Sequence, residues 1–163
     1  MNYEQIDRIE LKQLDVSTNS KEGKENLEKD LNSFIKGFED SGLEVFGEDF
    51  LPELNGTRAI MNIYFKESNN VMPTKYSYIV VDSRNGHGVA SRLINEELLK
   101  LKKEGNIIIR KLSIPKRNAA FSQILLVYIP SEKSIKEKKP IKEKPVEVVE
   151  DAREEKSSEA ITA

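Results

Sequence analysis

RNGHGVASRLINEELLKLKKEGNIIIRKLSIPKRNAAFSQILLVYI, running from Arg84 to Ile129, decides the fold. It reads as a glycine turn, an amphipathic helix, a strand, a short basic connection and a second apolar strand. Val89, Leu93, Leu98 and Leu101 recur at helical spacing, and Gly105 ends the helix as a left-handed terminal residue does. Asn106 to Ile114 and Phe121 to Ile129 read as two apolar strands, or as a strand and a short helix running into a strand, bounded by Pro115 and Pro130. Just upstream, KYSYIVVD (Lys75 to Asp82) puts Tyr78 and Val80 on one side and Ile79 and Val81 on the other. Such a strand is buried on both faces.

The first half of the chain carries the same order. Residues 6 to 16, IDRIELKQLDV, alternate Ile9 and Leu11 with Glu10 and Lys12, the pattern of a half-buried strand whose apolar side is Ile9 and Leu11. Leu27, Leu31, Phe34, Ile35 and Phe38 predict a helix from about Glu25 to Asp40, stopped by Gly42. Leu43 and Val45 form a short strand, and EDFLPELNGT, with Pro52 and Asn55-Gly56, reads as a loop. Arg58 to Lys66 is a strand with Ala59, Met61, Ile63 and Phe65 on one face, Ile60 and Tyr64 partly covering the other. The fold class is therefore α+β: a mixed β-sheet with two main helices in the order β-α-β-β-β-α-β-β. An internal duplication explains the order, with half-repeats 6–66 and 76–129 sharing one sheet inside a single domain over 1–130.

The chain has 163 residues, which suits one domain with a real core. Net charge is −2, so any polyanion site has to be a local patch. There is no cysteine and one histidine, which leaves out disulfides and thiolate metal sites, and no metal is expected. No stretch approaches a membrane span, the N-terminus lacks the pattern of a secretory signal, and a cytoplasmic setting is expected. Residues 131–163 read as a disordered, charged tail. Its stem to Pro145 carries six Lys against three Glu, and its end carries five Glu and one Asp against one Arg and one Lys.

Strand, Gly86-x-Gly88, then helix is a layout that binds phosphate, because glycines let backbone approach a ligand and the helix start offers unpaired amides. VVDSRNGHGVASRLINEELL resembles the acetyl-coenzyme A loop of the GNAT acetyltransferases. On that resemblance Asn85 takes the family's Arg/Gln place, Gly88 and Ala90 take the small-residue places, and the cofactor turn spans Asn85, Gly86, His87, Gly88, Val89 and Ala90. The resemblance also places the family's Asn at Asn118 and a tyrosine general acid at Tyr128, and it implies acetyl-CoA as cofactor. It offers a degenerate GNAT-like fold over residues 6 to 125 as the alternative to a duplicated β-α-β-β unit. Read from the residues alone, His87 is a turn residue without a carboxylate or nucleophile partner, and no catalytic constellation can be placed.

Two surfaces stand apart from that turn. Arg110, Lys111, Lys116, Arg117 and Asn118 cluster around Pro115 as an anion or nucleic-acid patch, although aromatics for base stacking are missing beside them. GEDFLPEL frames Phe50, Leu51 and Leu54 with acidic residues, as a protein-binding loop does. The leading expectation is a non-catalytic regulatory or inhibitory protein of bacterial or phage type, acting on a protein partner and needing no cofactor. If the chain is of phage origin, its setting is the host cytoplasm. A GNAT-type N-acyltransferase using acetyl-CoA is the alternative, and nucleic-acid binding by the basic hairpin a further one. Partner identity and oligomeric state stay open at this stage.

Overall fold

A computed structural model of the chain describes residues 3–17, 20–51, 58–82, 84, 86–115 and 121–132. After a short 3-10 turn at Tyr3–Gln5 come β1 (Arg8–Asp15), α1 (Lys21–Glu39), β2 (Leu43–Leu51) and β3 (Arg58–Glu67). Then follow β4 (Lys75–Asp82), α2 (Gly86–Lys103), β5 (Ile107–Ile114) and β6 (Phe121–Ile129). The element order is the expected one. The sheet is not single and mixed, however. It is divided into two antiparallel three-stranded sheets, β1-β3-β2 and β4-β6-β5.

Local chemistry explains the ends. Ser20 accepts a hydrogen bond from the Gly23 amide at 3.0 Å, so α1 starts one turn before its apolar stripe. Gly42 and Gly105 adopt φ of 87° and 82° and turn each helix into the strand that follows. β2 runs on to Leu51 through residues expected in a loop. Polar Glu48 there is taken inward by partners in the second half, and Phe50 lies against the core.

The two halves repeat each other in register as well as in order. Within each, the first and second strands flank the third and are antiparallel to it. The second strand breaks register at the same place, between Val45 and Gly47 in one half and between Ile108 and Arg110 in the other. Ile9 opposite Tyr64 therefore corresponds to Tyr76 opposite Val127. β6 lies between β4 and β5 and is bonded to both, so the adjoining, splayed parallel strands implied by the GNAT resemblance are not formed.

One core joins the halves. Leu27, Leu31 and Ile35 of α1 pack with Met61, Ile63 and Phe65 of the first sheet and with Tyr76, Tyr78, Leu125 and Val127 of the second. On the other face of the second sheet, Ile79, Val81, Ile124 and Leu126 pack under α2. β4 is thus covered on both faces, as its sequence indicates.

Between the sheets, the Glu48 side chain is 0% exposed and meets the Arg110 guanidinium in two hydrogen bonds of 2.8 Å. It also accepts from the Tyr76 hydroxyl at 2.6 Å. Burial, and the Glu48 carboxylate beside it, hold the Tyr76 phenol well above its ordinary value, so it stays protonated and donates to Glu48. Removing one member of such a pair leaves a buried charge. Arg110→Met should cost about 3–5 kcal/mol in urea unfolding, and adding Glu48→Leu with Tyr76→Phe should recover most of it. A cost under about 1 kcal/mol for Arg110→Met would contradict this burial.

Candidate functional site

The alternation in β1 comes out opposite to its apolar reading. Leu14 is buried toward α1, and Arg8 and Lys12, whose side chains share that face, lie over aromatic rings of α1. The Arg8 guanidinium stands 5.0 Å from the Phe38 ring, and Lys12 stands 5.2 Å from the Phe34 ring and 2.7 Å from the Asp30 carboxylate. Cations with long apolar stems can roof a helix in this way. Ile9 and Leu11 are consequently turned out, 52% and 60% exposed.

They belong to an open sheet face. Across the three strands its rows are Ile9, Tyr64 and Gly47, then Leu11, Asn62 and Asp49, then Gln13, Ile60 and Leu51. Leu51 is exposed at the β2 edge. Asp49 fixes the polar centre, accepting from the Asn62 amide at 2.6 Å and from the Tyr64 hydroxyl at 2.8 Å. The result is a surface on which exposed Ile9, Leu11 and Leu51 surround one anchored carboxylate, with the Tyr64 ring buried among them, the kind of patch that marks an interaction site.

The matching face of the second sheet is closed. Tyr76 and Tyr78, which hold the places of Ile9 and Leu11, are 1% and 0% exposed, and Leu125 and Val127 behind them are both 0%. α1 also seals the edge of β4. The Asn32 carboxamide accepts from the Tyr76 amide at 2.9 Å and donates to the Tyr76 carbonyl at 3.1 Å. Glu28 accepts from the Tyr78 amide at 2.7 Å, and Glu39 from the Thr74 amide at 2.6 Å.

Along this seal runs a cleft of about 850 Å³, bordered by α1, the edge of β4 and the end of α2. Its carboxylates are engaged. Besides the two that cap β4, Glu97 accepts from the Ser77 hydroxyl at 2.7 Å. Burial pushes Glu97 up, but the Ser77 hydroxyl and the Lys24 and Lys100 charges outweigh it and hold the carboxyl below its ordinary value. Tyr128 lines the same cleft, its phenol pushed up to about 12 by burial and neighbouring glutamates.

The residues singled out in the sequence are scattered. At the glycine turn, Gly86 has φ of 79° and begins α2, and a Cβ at Gly86 or Gly88 would meet nothing within 4 Å. Val89 is half-buried and Ala90 packs toward the core under α2. Asn85 and the side chain of His87 lie outside the described residues, as do Lys116, Arg117, Asn118 and Leu54. Arg110 is taken up by Glu48, which leaves Lys111 as the exposed cation of that cluster among the described residues. Phe50 turns to the core, while Leu51 joins the open face, in a strand and not in a loop. Ile9 and Leu11 were missed as surface residues because their alternation reads as buried. The cations across from them were the available signal. No helix among the described residues is long and apolar enough to cross a membrane. Neither a protein family, a curated protein nor a solved structure matches the chain.

Burial pushes the Glu39 carboxyl above its ordinary value, against the opposing pull of its bond from the Thr74 amide. A raised value in the fold favours the protonated form. That contribution is complete below the ordinary value of 4.5 and is lost as pH rises through the raised one. Glu39→Gln keeps an acceptor for the Thr74 amide. It should melt above wild type at about pH 7 and together with it near about pH 3. A variant that melts below wild type at neutral pH would contradict the assignment.

Proposed function

We propose that the chain is a non-catalytic, regulatory protein-binding module whose docking surface is the open face of its first sheet. The observation that carries this reading is the contrast between equivalent faces: Tyr76 and Tyr78 are buried, whereas Ile9 and Leu11 stand in solvent. An aliphatic face around a fixed carboxylate fits a partner that brings an apolar stripe and a hydrogen-bonding side chain for the neighbouring strand edge. That is the chemistry α1 supplies to β4 inside the chain. Engagement of the cleft's carboxylates in capping and bridging favours binding over catalysis. The acyltransfer reading has less support, since β6 stands between the strands that a cofactor of that class would have to part.

Leu11→Glu and Leu51→Lys change exposed side chains and should alter stability by no more than about 0.5 kcal/mol. In a quantitative pulldown from bacterial lysate supplemented with untagged chain, some protein should be retained by wild type and by a Lys103→Glu control and lost with Leu11→Glu. If every retained protein is indifferent to Leu11→Glu, the open face is not the docking surface.

A further inference from the structure

The internal repeat indicates what fills the open face. Within the chain, three side chains of α1 are spaced along the edge of β4: Glu28 at the Tyr78 amide, Asn32 at Tyr76 and Glu39 at the Thr74 amide. The shared strand register puts Leu11, Ile9 and Asp7 of the first half in the places of Tyr78, Tyr76 and Thr74. The terminal glycines align the helices, since Asn95 precedes Gly105 by the same interval at which Asn32 precedes Gly42. Ser91, Asn95 and Lys102 of α2 then hold the places of Glu28, Asn32 and Glu39.

All three α2 residues are exposed, and so is Leu99 between them, at 58%. The side chains of Asn95 and Lys102 make no hydrogen bond or ion pair among the described residues. Asp7 at the start of the β1 edge is exposed too, with one carboxylate oxygen accepting from the Glu67 amide. The contact between Glu39 and Thr74 inside the chain is thus replaced, at the equivalent outer positions, by a lysine and a carboxylate of opposite charge. An asparagine is retained at the position that seals the strand edge.

We infer that the open face and β1 edge of one copy receive α2 of a second copy, head to tail, in the arrangement by which α1 receives β4 within the chain. This rests on the docking face proposed above and names its occupant. Ser91 faces Leu11, Asn95 caps the strand edge at Ile9, and Lys102 pairs with Asp7. Leu99 adds an apolar contact to Ile9 and Leu11. Because the two surfaces differ, a dimer keeps one of each free, so assembly continues beyond it unless it closes into a ring.

The test is sedimentation of the full chain from about 1 µM to about 1 mM. Wild type should show mass rising with concentration. Lys102→Glu and Asp7→Lys should each weaken association by about tenfold or more, and Asn95→Arg and Leu11→Glu should do likewise. In a mixture of Lys102→Glu and Asp7→Lys chains the contact joins opposite charges whichever chain supplies the helix, so association should return, with the two chains alternating and the mass again rising with concentration. Since Asp7 also holds the Glu67 amide, Asn95→Arg, with an unchanged melting temperature, serves as the variant free of that role. A chain that stays monomeric over the whole range overturns the inference. If such a monomer still loses a different protein on Leu11→Glu, the docking face stands and only its occupant is wrong. If nothing depends on Leu11, both readings fall. Association indifferent to Asn95 and Lys102 also overturns the inference.

Discussion

One carboxamide governs this architecture. Asn32 satisfies both backbone groups of Tyr76, and in doing so attaches the helix of the first half to the edge of the second sheet. A free strand edge in a partly apolar sheet invites uncontrolled pairing, and an unsatisfied backbone group costs about 1–3 kcal/mol once buried. Side chains from a crossing helix meet both demands where a fourth strand otherwise would. Glu28 and Glu39 extend the seal to either side, and the apolar stripe between them supplies the common core.

From that joint follows the difference between the sheets. The second has α2 on one face and the first half on the other, so β4 and β6 bury apolar side chains on both faces, while β5 alternates half-buried with exposed positions. The first has only α1 and the second sheet on its inner side. The clamp of Glu48 on Arg110 and Tyr76 fixes how the two sheets meet, since a buried carboxylate with three good hydrogen bonds tolerates little sliding. The two β-α-β-β halves thus occupy unequal environments, and the more exposed outer face of the first is the one proposed for docking.

Much of this was legible in the sequence. β4 and β6 have the expected bounds, because a strand buried on both faces, or ended by proline, leaves little ambiguity. Gly42 and Gly105 marked both helix ends by their conformational freedom. Readings failed where a distant partner overrode a local pattern. Glu48 looks like a loop residue until Arg110 and Tyr76 are brought to it, and the division into two sheets depends on pairings that no local window contains. β1 is the instructive case. Ile9 and Leu11 look buried by alternation, yet the inner face goes to Leu14 and to cations stacked on Phe34 and Phe38, an arrangement set by the aromatic spacing of α1. Of the candidate site residues, Leu51 is exposed as expected, though it ends a strand and does not sit in a loop.

The account depends most on α1 sealing the edge of β4, because the repeat argument and the docking face both start from it. Residue-resolved hydrogen exchange measures that seal directly. The Tyr76 and Tyr78 amides should exchange only through global unfolding, at rates matching Leu125 in the central strand, and Asn32→Ala should release Tyr76 first. Tyr76 and Tyr78 amides that exchange orders of magnitude faster than Leu125 in the wild-type chain, as an open edge does, would contradict it.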